Sequence, residues 1–190
     1  LGAKVRHVAN RLAVCWVSNR DGRTSADPLT ADIGGVLEQR PLLFSFDRRR
    51  WVDNTAKGSE FFQQLRLGRG AAACDYDDDG DLDLVVVHQN SSAALLKNDS
   101  TRQHWLKVEL IGRTVNRRAI GARVIVRMAD RTLMQELAGG TSYCSSSQPC
   151  LYFGLGSWDQ PVTVEVFWPG GRSQSVDRVT IDRRMVILEE

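Results

Sequence analysis

The sequence predicts an all-β chain, and three observations carry that prediction. Apolar residues recur at every second position in several stretches, turn-forming residues break the chain often, and helical periodicity is almost absent. The 190 residues suffice for one large domain or two small ones, with enough apolar material for ordinary cores. A formal charge of +2 gives no whole-chain pull toward nucleic acid or anionic membrane, and no nucleic-acid partner is expected. No apolar run approaches the ~18 residues of a membrane span. The chain opens at Leu1 without a recognisable secretory leader, so a processed or truncated form is expected.

The first 35 residues carry little pattern. Val14-Cys15-Trp16-Val17 fits a short strand, and Asp27-Pro28 marks a break. Leu42-Leu43-Phe44-Ser45-Phe46 and Trp51-Val52-Asp53 flank a charged turn and predict two short strands. Between Ser59 and Leu67 lies the one plausible helical turn. Ala71-Ala72-Ala73-Cys74 follows, a run of small residues that predicts close approach of neighbouring backbones. The polar segment 98–103 is the best domain boundary. Beyond it the alternation is cleaner: Leu106, Val108 and Leu110 share one face, as do Val124, Val126 and Met128, and then Val162, Val164, Val166 and Trp168. This part is expected to form a small antiparallel sandwich or barrel. Arg123 and Arg127 fall opposite the apolar residues of their strand, which makes them a solvated face.

The chemistry concentrates in Asp75-Tyr76-Asp77-Asp78-Asp79-Gly80-Asp81-Leu82-Asp83, which runs into the apolar strand Leu84-Val85-Val86-Val87. Carboxylates stand at loop positions 1, 3, 5 and 9, and glycine at position 6. Alternate residues of a tight loop can point inward together, so Asp75, Asp77 and Asp79 can converge on one hard cation. Gly80 permits the dihedral that turns the chain back. The Asp81 carbonyl and the Asp83 carboxylate then complete an oxygen shell of the kind calcium prefers. Asp78 and the Asp81 side chain are expected to point outward. An EF-hand is excluded twice over: Val86 stands where the bidentate glutamate belongs, and the flanks are strands. A phosphotransfer aspartate is excluded because the clear apolar strand follows the loop instead of preceding it.

Other residues offer weaker chemistry. Cys144 and Cys150 are close in sequence and could form a local disulfide, but lack the spacing and the histidine partners of a zinc site. Asn90-Ser91-Ser92 and Asn98-Asp99-Ser100 are glycosylation sequons. Trp158 and the arginine row Arg113, Arg117, Arg118, Arg123, Arg127 and Arg131 admit a glycan-binding surface. No nucleophile elbow or phosphate loop is present, and no catalytic residue is assigned.

Gly68-Arg69-Gly70-Ala71-Ala72 followed by the acidic loop resembles the FG-GAP (VCBS-type) repeat, the blade unit of integrin-like β-propellers. Downstream, His104-Trp105-Leu106-Lys107-Val108, residues 116–124, Phe153-Gly154-Leu155-Gly156 and Trp168-Pro169-Gly170-Gly171-Arg172 resemble the ASPIC/UnbV domain of the cartilage acidic protein-like family. The resemblance covers about residues 36–190 and leaves 1–35 unassigned. Cys74 departs from it, at a position where the repeat usually carries glycine or another small residue. The resemblance implies propeller-blade material over 36–103 with a calcium loop at 75–83, then an ASPIC/UnbV-like β domain over 104–190. It implies a secreted or cell-surface interaction or adhesion module without catalytic activity. A propeller needs four or more blades, so further blades elsewhere in a longer chain are expected partners. The protein or glycan ligand stays open, with a carbohydrate-binding sandwich or an accessory to a biosynthetic enzyme as the alternatives.

Overall fold

In the computed structural model, residues 4–6, 12–15, 38–47, 50–99, 103–140 and 145–190 are described. Among them the chain is built of strands, with helical geometry confined to two short 3-10 turns, Thr55–Lys57 and Glu60–Gln63. The second of these occupies part of the segment expected to turn helically. No helix among the described residues is long and apolar enough to cross a membrane. The described residues divide into two compact units: those within 1–74, 82–98 and 140–147 form the first, and those within 75–81, 99–139 and 148–190 the second.

Among the described residues, the first unit holds two sheets. In one, β1 (Lys4–Arg6), β2 (Leu12–Cys15), β3 (Leu42–Asp47) and β4 (Arg50–Asp53) follow chain order with antiparallel neighbours. In the other, β5 (Gly68–Cys74), β6 (Asp83–His88) and β7 (Ala94–Leu96) form an antiparallel meander. The small residues of β5 have their reason here: Ala71 and Val86 are buried with Phe61 and Phe62 of the second 3-10 turn. A bulkier residue at 71 would push that aromatic pair off the sheet. The opposite face of the meander is apolar too, yet exposed, with Val85, Val87 and Leu95 each more than a third accessible.

Two sheets sharing one core make up the second unit. One has the order β10 (Thr132–Glu136), β9 (Arg123–Arg127), β12 (Val162–Phe167), β13 (Ser173–Val179). Register places Val124 opposite Val166 and Val126 opposite Val164, so the alternating valines of two neighbouring strands point inward together. The other sheet has β8 (His104–Ile111) at its centre, flanked by β11 (Leu151–Gly156) and β14 (Arg183–Leu188). Leu106, Val108, Leu110, Phe153 and Leu155 complete the core from that side. Burying a Val, Leu or Phe contributes about 1.5–3 kcal/mol each, which makes this inward alternation the main stabilising pattern of the unit. The expectation of a purely antiparallel arrangement needs one correction, because β14 runs parallel to β8. Its sequence, Arg-Arg-Met-Val-Ile-Leu, lacks strict alternation and gives no hint of strand direction.

Candidate metal centre

The acidic loop joins β5 to β6, and the pairing of Cys74 with Asp83 closes its base. Two positions take left-handed backbone geometry: Asp78 at φ 56° and Gly80 at φ 91°. Aspartate tolerates this region better than most residues, and glycine enters it without steric cost. The resulting turn brings Asp75, Asp77 and Asp83 together, with one carboxylate oxygen of each within 4.8 Å of the others. Asp75 and Asp83 are buried, while Asp77 is exposed. Asp83 also accepts the Asn98 main-chain N–H at 2.8 Å, which fixes its orientation. Positions 1, 3 and 9 therefore converge. Position 5 does not join them, since Asp79 accepts the Asp81 main-chain N–H at 3.0 Å. Asp79 and Asp81 instead line an open cavity of about 390 Å³, together with His104, Trp105 and Asp182.

Asp75 is the pivotal carboxylate. Its Oδ1 is buried without a hydrogen-bond partner, whereas its Oδ2 lies 3.3 Å from Lys107 Nζ. Lys107 also donates to Asp78 at 2.8 Å and lies 5.3 Å from the Tyr152 ring centroid. On sequence alone Lys107 is the polar member of an alternating strand. In the structure it is 1% exposed, roofed by the acidic loop. Burial lowers the pKa of this ammonium, but the hydrogen bond to Asp78 and the charge of Asp75 outweigh it and hold the pKa above the ordinary lysine range. The same burial pushes the Asp75 carboxyl up against the pull of Lys107, and the Lys107 hydrogen bond holds Asp78 down. The Asp75 main-chain N–H reaches the Tyr152 hydroxyl at 3.4 Å, and burial pushes that phenol up to about 12.

Gly80 has a second role that its place in the loop motif does not disclose. A Cβ added there would stand 2.1 Å from Trp105 Cε2, so the loop lies directly against the indole. Trp105 is fixed in turn by Asp182, which accepts its main-chain N–H at 3.1 Å and pairs with His104 at 2.7 Å. Lys107 and Trp105, two residues apart on β8, thus hold the loop at two points. Both were invisible as site residues because a strand pattern reveals which face a residue takes and not what covers it.

The remaining sequence-predicted positions are dispersed. Cys150 is half-buried, and burial pushes its thiol pKa up; Cys144, and with it the expected pairing, lies outside the described residues. Asn90 is exposed in the turn after β6, whereas the side-chain nitrogen of Asn98 is buried. Arg127 pairs with Glu165 on the neighbouring strand at 2.7 Å, and Arg123 lies over the Phe167 ring at 5.9 Å. Trp158 packs against the core of its unit and donates its indole N–H to the Gln160 carbonyl at 2.8 Å. Arg123 and Arg127 therefore lie on the outer, partly ion-paired face of a sheet.

Comparison with known proteins places this geometry in context. Residues 112–190 match the ASPIC and UnbV family model. The chain is 34% identical over 114 residues to cartilage acidic protein 1 of Homo sapiens, and likewise to that of Mus musculus; each match spans 57% of this chain. It is 34% identical over 111 residues to the protein of the same name from Xenopus tropicalis, across 55% of this chain. These matches span only 17% of the length of the curated relatives. The C-terminal part of the chain, residues 112–190, thus resembles the ASPIC and UnbV family, and the chain is similar in sequence to cartilage acidic protein 1.

Proposed function

We propose that residues 75–83 bind calcium and that the chain is a non-enzymatic, calcium-stabilised interaction module of an extracellular protein. The observation that carries this reading is the buried, unpartnered Oδ1 of Asp75 within a convergent set of three carboxylates. A buried carboxylate oxygen without a donor costs on the order of 1–3 kcal/mol or more, and a cation held jointly with Asp77 and Asp83 offsets that cost. The donors are oxygens only, which suits a hard ion and disfavours zinc or copper. Asp79 and the Asp81 main-chain carbonyl stand outside that set, and in this reading they turn in from positions 5 and 7 only when the ion binds.

The module is organised as propeller-blade material over 36–103 and an ASPIC/UnbV-like domain over 104–190. The exposed apolar face of the β5–β7 meander supports the blade assignment, because such a face suits burial against a neighbouring blade. Sequence similarity to proteins named for cartilage supports an extracellular setting. If glycosylated there, the chain carries sugar at Asn90, whose side chain is accessible, and not at Asn98.

Isothermal titration with calcium chloride tests the metal assignment. One site is expected, with Kd of about 10⁻⁴–10⁻³ M as in extracellular modules, and Asp77→Ala removes it. Absence of saturable calcium binding by the folded wild-type chain contradicts the assignment.

A further inference from the structure

We infer that Lys107 is an internal counter-cation that sets the calcium affinity of the acidic loop and holds the loop in place when calcium is absent. The inference rests on the calcium reading above. It adds a residue outside the loop motif, contributed by strand β8.

Asp75 is shared. One of its oxygens faces the Lys107 ammonium at 3.3 Å, and the other is buried without a hydrogen bond in the carboxylate set. An ion on Oδ1 and the ammonium beside Oδ2 would share the one carboxylate of Asp75. Both are positive, and Lys107 is 1% exposed, so water screens their repulsion weakly. Lys107 also engages Asp78 at 2.8 Å, removing negative charge from a loop whose attraction for a cation depends on it. Both effects lower calcium affinity. Without calcium the same contacts do the reverse for folding, because the ammonium is then the cation that offsets repulsion among the crowded carboxylates.

A merely structural lysine and a counter-cation differ in the sign of one measurement. Lys107→Met removes the charge while keeping much of the buried aliphatic volume. If Lys107 only orients Asp75, the variant binds calcium more weakly. If it is the counter-cation, the variant binds at least ten times more tightly, melts at a lower temperature than wild type in chelator, and shows a larger calcium-induced stabilisation. Lys107→Arg, which keeps the charge, stays within about threefold of wild type.

The experiment is calorimetric titration of the wild-type chain and both variants with calcium chloride, each checked for folding by circular dichroism. Equal or weaker binding by Lys107→Met overturns the inference while wild-type binding leaves the metal site standing. No binding by the wild type removes the metal reading itself, and the inference with it. Should Lys107→Met fail to fold in chelator, the wild type supplies the test through the ammonium resonance of ¹⁵N-labelled Lys107. That resonance shifts saturably with calcium if the two cations share Asp75, and an unmoved resonance overturns the inference.

Discussion

At the residue scale, the loop depends on two kinds of information of unequal visibility. Asp75, Asp77 and Asp83 were legible because carboxylates at fixed spacing around a glycine have few other uses in a β protein. Asp79 was expected beside them and instead accepts the Asp81 N–H and lines the cavity next to Trp105. Spacing specifies which side chains can converge; the turn geometry at Asp78 and Gly80 determines which of them do. Gly80 carries two constraints, a left-handed φ and contact with the Trp105 indole. Gly80→Ala is therefore expected to cost about 2–4 kcal/mol, the sum of backbone strain and a clash that must displace an aromatic ring. Chemical denaturation measures it, and a loss under about 0.5 kcal/mol, the ordinary range for a surface change, contradicts the packing described. Lys107 shows the limit of pattern reading most plainly. A lysine opposite a row of apolar residues is normally solvated, and only tertiary structure reveals the cover.

At the element scale, strand alternation was a reliable guide to the core, as the inward valines of β9 and β12 demonstrate. It was silent on direction, and the parallel pairing of β14 with β8 followed from no local signal. The end of β14 is secured by a device that sequence does not announce. Glu189 is buried just beyond the strand and accepts the main-chain N–H groups of Arg113, Thr114 and Val115 at 2.7–3.1 Å, with the Thr114 hydroxyl as a further donor. The Thr114 hydroxyl first, and the three main-chain donors with it, hold the Glu189 carboxyl at about 2 against an ordinary 4.5. A folded-state pKa below the unfolded one means that Glu189 stabilises the fold above about pH 4.5. That contribution is lost as pH falls from 4.5 toward 2. Glu189→Gln should lower the melting temperature at neutral pH and flatten the acid limb of the stability profile. Parallel wild-type and variant profiles across that window would show that the contacts do not outlast solution conditions.

At the scale of the whole molecule, the motif order in the sequence anticipated the ASPIC/UnbV match over residues 112–190, because several short motifs in a fixed order constrain a family more than any single one. Propeller assembly was less legible, since a ring is a property of many blades and the β5–β7 sheet has three strands. Its outward face offers a test: Val87 and Leu95 are about half exposed, so Val87→Lys or Leu95→Lys should change the stability of this chain by less than about 0.5 kcal/mol. A larger loss would mean that the face is already covered. The central claim, that the acidic loop is a calcium site built into the fold, is tested most directly by thermal unfolding in 10 mM calcium and in excess chelator. With Kd of about 10⁻⁴–10⁻³ M, binding to the folded state alone stabilises by about 1.4–2.7 kcal/mol. For a chain of this length that raises the melting temperature by about 3–10 °C, and Asp77→Ala abolishes the rise. Superimposable melting curves in calcium and in chelator would contradict the account.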